Sequence, residues 1–155
     1  MPTTEAKTAE VENTSDHTVE VVAGVIWHPD NSSRVLLALR KPGQHQGGLW
    51  EFPGGKIDPG ETGLQALERE LKEEVAIMVT QAESWLSISH DYTDKSVNLH
   101  FWHVNRFNGT PQGCEQQQLR WVSLAELGDY AFPEANQPVV DRLLSGSDSW
   151  KENKN

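Results

Sequence analysis

Cysteine is nearly missing from this sequence: Cys114 stands alone among 155 residues. A lone thiol excludes an internal disulfide framework and an all-cysteine metal cage, and it suits a reducing, cytoplasmic setting. Basic residues are also scarce, with 13 Lys and Arg against 23 Asp and Glu, a net charge of −10. That balance excludes a nucleic-acid polymer held on a basic surface and an anionic membrane as partner. Small phosphorylated ligands stay open, because a divalent cation inverts the local charge logic. No apolar run approaches the roughly 18 residues that a spanning helix needs. The N-terminal stretch lacks the basic start and apolar core of a signal peptide.

Residues 1–17 carry few large apolar side chains and read as a disordered acidic tail. Residues 146–155 read as a flexible C-terminal tail, with Trp150 its one large apolar side chain. The rest, 18–145, fits one soluble domain with a usable core, expected to act as a monomer.

Within that domain the β-branched and aliphatic runs at 19–28 and 34–41 predict strands, separated by the turn-forming Pro29, Asp30, Asn31 and Ser32. A polar glycine-rich loop leads to a short strand around Trp50, Glu51 and Phe52, then to a glycine turn. A helix is expected over about 62–75, with Thr62 and Gln65 spaced as a capping box. Two strands near 84–92 and 97–107 flank a hairpin turn at Thr93, Asp94, Lys95 and Ser96. Another strand is read at 119–122, then a short helix opened by a second capping pair, Ser123 and Glu126. A final helix at 136–145 takes Asn136 as its N-cap and tolerates Pro138 in its first turn. Strands interleaved with helices imply a layered α/β or α+β domain.

The helix at 62–75 carries the chemical signal. With Glu70 set at 0°, Glu73 falls at about −60° and Glu74 at about +40°, so three carboxylates share one face. Leu64, Leu67, Leu71 and Val75 form the adjacent apolar stripe, which places the carboxylates at the edge of a buried seam. Like charges held there repel unless a cation intervenes, and oxygen-only donors suit Mg²⁺ or Mn²⁺. Most acidic helices are merely solvated faces, and Glu68 with Lys72 is an ordinary i,i+4 pair on the outer side. A solvated face leaves the preceding Gly54-Gly55 and Glu61 unexplained, and the spacing fits no EF-hand.

Gly55, then Glu61, then Arg69-Glu70-Leu71 and Glu73-Glu74 resemble the Nudix box, G-x5-E-x7-R-E-U-x-E-E-x-G-U. Every specified position matches except the last glycine, which is Ala76 here, a residue that does not favour positive φ. The resemblance implies an α+β fold, an α/β/α sandwich with a mixed sheet between helices, and metal-dependent hydrolysis of a nucleoside diphosphate linked to another group. It implies Glu70, Glu73 and Glu74 as metal ligands, joined by the Gly54 carbonyl. Arg69 would orient Glu70, and Glu61 would brace the loop onto the helix. Removing a proton from the attacking water needs a positioned carboxylate. Two fit, Glu70 and Glu115, the second also a candidate metal ligand.

The similarity runs past the box. The segments 49–57 (LWEFPGGKI) and 132–139 (FPEANQPV) resemble the MutT-type 8-oxo-dGTP diphosphatases, and 19–144 lies along that group without large gaps. The likeness implies a nucleoside triphosphate substrate and Mg²⁺ as cofactor. It puts Asn136 at the oxidised base, with Phe52 and Ala135 lining the base pocket. Arg40, His45, Asp94 and Lys95 fall at further nucleotide-contacting positions, Lys95 where the archetype has arginine. Cys114 reads as incidental, and His90, His100 and His103 form no metal-ligand pattern. A sister branch acting on CTP, dCTP or 5-hydroxy-dCTP is the alternative, favoured by 99–104 (LHFWHV) and 107–110 (FNGT). A catalytically inactive nucleotide-binding module is third, since an intact Arg69, Glu70, Glu73 and Glu74 set argues against lost catalysis.

Overall fold

The computed structural model describes residues 18–43 and 47–145. Seven strands form among the described residues: β1 Thr18–Ile26, β2 Arg34–Leu39, β3 Trp50–Glu51, β4 Gly54–Lys56, β5 Met78–Asp91, β6 Ser96–Asn108 and β7 Leu119–Ser123. The helices are α1 Gly63–Val75 and α2 Gln137–Ser145, with 3₁₀ turns at Leu124–Asp129 and Glu134–Asn136. No helix among the described residues is long and apolar enough to cross a membrane.

Four strands pair in the order β4-β1-β6-β5, and three in the order β3-β2-β7. The first sheet is mixed. β1 runs parallel to β6 (Val21 beside Leu99) and antiparallel to β4 (Val22 beside Gly55). β1 is buried from Val22 to Ile26 on both faces, as suits a continuous β-branched and aliphatic run with helices above and below. A bridge between Trp27 and Val35 links the two sheets.

α1 docks through Ala66, Leu67, Leu71 and Val75, all fully buried against Val22, Ile26, Leu36, Ile77 and Val104. Each buried leucine contributes about 1.5–3 kcal/mol. On the other face, Val139, Val140 and Leu143 of α2 pack with Val25, Leu37, Phe52 and Phe101. The α/β/α layering expected from the sequence is therefore present.

The helix at 62–75 forms as read. The Thr62 hydroxyl accepts the Gln65 N–H, and the Gln65 side chain accepts the Thr62 N–H. Ala76 ends it at φ 62°, ψ 33°, the left-handed conformation the box reserves for glycine. Other readings need correction. The glycine turn after Phe52 is strand β4. β5 starts at Met78 rather than near 84, because the Ala76 turn sends the chain straight back into the sheet. Ser123 makes no side-chain cap, and the segment after it is a 3₁₀ turn. Asn136 closes a 3₁₀ turn that runs directly into α2 instead of serving as that helix's cap.

Candidate active site

One cavity of about 330 Å³ lies between the first sheet, the C-terminal half of α1 and the loops after β2 and before β7. Four carboxylates line it: Glu51 from β3, Glu70 and Glu74 from α1, and Glu115 from the loop before β7. Arg40, Lys95, Phe52, Ala135 and Asn136 line it as well.

Two adjacent glycines set the approach of α1 to β4, for different reasons. A Cβ on Gly55 would stand 2.3 Å from the Glu70 Cδ, so the glycine is what lets that carboxylate lie against the strand. A Cβ on Gly54 would stand 2.0 Å from the Val22 carbonyl oxygen of β1, so there the constraint is backbone against backbone. The Gly54 N–H donates to Glu74 Oε1 at 3.0 Å, which ties the last carboxylate of α1 to the same turn.

Arg69 organises the outer side of the helix. Its Nε and Nη2 donate to both oxygens of Glu61 at 2.6 and 2.9 Å, a bidentate pair. Nη1 reaches Glu70 at 3.0 Å and Glu73 at 3.3 Å, and Nη2 reaches the Lys56 carbonyl at 3.0 Å. Glu61 also accepts the Asp58 N–H at 2.8 Å, bracing the loop onto the helix. The two Arg69 hydrogen bonds pull the Glu61 carboxyl down to about 2.

Inside the cavity the shifts run the other way. Glu74 is only 7% exposed, and burial pushes its carboxyl up to about 8, with Glu51, Glu115 and Glu70 adding like charge. Burial also raises Glu70 against the pull of Arg69. Glu51 is raised by burial too, opposed by its ion pair with Arg40. Glu70, Glu73 and Glu74 further sit toward the negative end of the α1 dipole, which disfavours carboxylates. A buried oxygen-only donor set that resists ionising on its own is the chemistry a hard divalent cation relieves. Glu70, Glu74 and Glu115 carry the oxygen donors that such an ion takes. Among the described residues no three His, Cys, Asp or Glu side chains already converge as a finished metal cluster.

The remaining candidates separate. Glu73 stands on the exposed shoulder beside Arg69, its side chain 62% exposed, and is not among the cavity residues. Asp94 is exposed in the β5–β6 turn outside the cavity, while its neighbour Lys95 lines it. Asn136 presents a half-buried amide with no hydrogen-bond partner among the described residues. Phe52 is buried and stacks on Phe132 at 5.5 Å. His45 lies outside the described residues. The other histidines are dispersed: His103 is buried and accepts from Trp27 Nε1 at 3.0 Å, His100 pairs with Glu20 at 2.8 Å, and His90 packs on Tyr92.

Two cavity residues gave no signal in the sequence. Glu51 sits inside an ordinary strand run, and its pairing with Arg40 arises only when β2 and β3 align. Gln117 is one of three consecutive glutamines in a loop, and nothing local marks it.

Comparison with known proteins agrees with this geometry. The NUDIX domain family model matches residues 22–142, which hold every cavity carboxylate. The CTP pyrophosphohydrolase of Escherichia coli K12 is 39% identical over 127 residues, 82% of this chain and 92% of that one. The 8-oxo-dGTP diphosphatase of the same organism is 37% identical over 125 residues, 81% of this chain and 95% of that one. A solved MutT structure, from work on Aliivibrio salmonicida and Vibrio cholerae, superposes with a TM-score of 0.73 at 40% identity. It covers 83% of this chain and 98% of that one. The box, the glycine-seated carboxylate helix and the matching relatives make this chain a member of the Nudix hydrolase family.

Proposed function

We propose that the protein is a cytoplasmic, monomeric Mg²⁺-dependent pyrophosphohydrolase that converts 8-oxo-dGTP to 8-oxo-dGMP and pyrophosphate. One observation carries the substrate: the unpartnered amide of Asn136, with Ala135 and Phe52, lines the same cavity as Glu70, Glu74 and Glu115. Oxidation at C8 turns guanine N7 from an acceptor into an N–H donor. An Asn amide then accepts from N7–H and donates to O6 at once. Ordinary guanine offers two acceptors there, and the mismatch costs about 1–3 kcal/mol, roughly 5- to 150-fold in discrimination.

Glu70, Glu73, Glu74, Glu115 and the Gly54 carbonyl are the groups proposed to hold the metal. Bound there, Mg²⁺ supplies charge neutralisation of the triphosphate and a more acidic water. The protein's own part is positional. Arg69 and Glu61 hold Glu70 against Gly55, and Arg40 and Lys95 supply positive charge to the phosphates. Glu70 or Glu115 accepts the proton of the water that opens the α–β anhydride. Release of pyrophosphate completes the hydrolysis.

The cytidine reading is favoured by the 39% identity to the CTP pyrophosphohydrolase, beside the segments 99–104 and 107–110. A hydrolysis panel with Mg²⁺ separates the two: 8-oxo-dGTP, dGTP, 5-hydroxy-dCTP, CTP and ADP-ribose, with products identified. The expected preference is 8-oxo-dGTP, and Asn136→Ala should erase its advantage over dGTP. A preference for CTP or 5-hydroxy-dCTP sinks the guanine reading and leaves the family intact.

A further inference from the structure

An α-helix leaves its last carbonyls without partners, to be met by water, caps or neighbouring chain. In α1 the loop before β7 meets them. The Gln112 N–H donates to the Val75 carbonyl at 3.0 Å, and the Cys114 N–H to the Glu74 carbonyl at 3.0 Å. The Gln117 side chain adds a second donor to that same Glu74 carbonyl, Nε2 at 3.2 Å. Its other amide atom, Oε1, accepts the Glu115 N–H at 2.9 Å. One side-chain amide therefore spans from the backbone of Glu74 to the backbone of Glu115, two carboxylate residues that line the same cavity.

The loop is held in an unfavourable shape while it does this. Gln116 has φ 66°, a left-handed conformation that is disfavoured for a non-glycine residue. Gly113 has no room for a side chain, since a Cβ would stand 2.1 Å from the Gln117 carbonyl oxygen. A loop that only needed to cap the helix had Gln112 and Cys114 for the purpose. The extra amide bond is directed at Glu115.

We propose that Gln117 is a positioning residue for the hydrolysis, its amide holding Glu115 in register with the neighbouring Glu74 at the cavity. The proposal rests on the reading above in which Glu115 serves the reaction. It places the control of that carboxylate in a neutral side chain two residues away. It also explains why the loop is tied to α1, the element that carries Glu70 and Glu74, rather than to the sheet alone.

The test is a double-mutant cycle on the wild-type protein's best substrate from the panel, with Gln117→Met and Glu115→Gln. Met keeps the length of Gln and removes both hydrogen bonds. Gln117→Met should lower kcat about 10-fold and leave KM within about 3-fold. In the Glu115→Gln background the same substitution should change kcat less than about 2-fold, because its effect runs through Glu115. Gln117→Glu is the second variant, keeping the acceptor for the Glu115 N–H and losing the donor to Glu74. Circular dichroism and thermal unfolding establish that each variant is folded.

Full additivity of the two losses, or a raised KM with unchanged kcat, overturns the positioning role. A silent Glu115→Gln overturns it as well. Failure of the wild-type chain to hydrolyse any nucleoside triphosphate in the panel is a separate result, and it sinks the proposed function instead.

Discussion

At the scale of single residues, the two glycines of the β4 turn illustrate how one atom is tolerated or not according to what it meets. An added methyl at Gly55 collides with the end of the Glu70 side chain, which is able to swing away. At Gly54 it collides with the backbone of β1, which is not. Gly55→Ala should therefore leave the melting temperature within about 2 °C of wild type while lowering kcat at least about 10-fold through a displaced Glu70. Gly54→Ala should lose stability outright, by about 2 kcal/mol or more, by overpacking a β1–β4 contact. Thermal unfolding and kcat measured on both variants check the contrast. Equal loss of activity with equal loss of stability would show that Glu70 is not the side chain displaced.

At the scale of elements, α1 combines a well-formed start with a strained finish. Its capping box is complete, and four fully buried side chains seat it on the sheet. Its exit is an alanine in the left-handed region, with the N–H of Ala76 donating to the carbonyls of Leu71 and Lys72. Ala76→Gly relieves the steric cost but adds freedom to the unfolded chain. The net expectation is a gain of about 0.5–1 kcal/mol, which for a chain of this size is roughly 1–4 °C in melting temperature. Calorimetry of the variant decides it, and a lower melting temperature would mean the Ala76 methyl contributes packing that outweighs its strain. The helix was readable beforehand because its apolar stripe, cap and carboxylates recur at helical spacing. β4 was not, since three residues rich in glycine have no period, and only the β1 edge beside them makes them a strand.

At the scale of the molecule, the buried acidity of the cavity sets how stability responds to pH. The folded state holds the Glu74 proton up to about 8, whereas the unfolded chain releases it near 4.5. Between those values the folded state binds more protons, so metal-free stability is full below about pH 4.5 and falls as pH rises through about 8. Glu70 and Glu51 are raised by burial and act in the same direction. Glu61 acts in the opposite one: drawn down to about 2, it contributes stability above 4.5 that is lost as pH falls toward 2. In EDTA the melting temperature should therefore decline from pH 5 to pH 9. Excess Mg²⁺ should flatten that decline by replacing the proton at the carboxylates. Glu74→Gln should reduce the slope without metal. A metal-free melting temperature that is level or rises over this interval would refute the buried-carboxylate account.

The sequence by itself determined the family, the carboxylate helix and the layered fold, because those depend on local spacing: residues 63–75 carry their own geometry at 100° per residue. The charge imbalance is compatible with a small phosphorylated ligand. Residues 51–74 alone hold seven acids and three bases, a net −4 that gathers at and around the cavity. Only the tertiary structure decided which carboxylates share that cavity. It brought in Glu51 through the pairing of β2 with β3, and left Glu73 on an exposed shoulder. It freed Asn136 from the capping role that local sequence favoured, by continuing its 3₁₀ turn into α2. Gln117 likewise acquired a role only when the loop before β7 closed on the end of α1. Contacts between residues 11 to 43 positions apart, such as Arg40 with Glu51 and Gln117 with Glu74, have no period to read, and they exist only after the layers have packed.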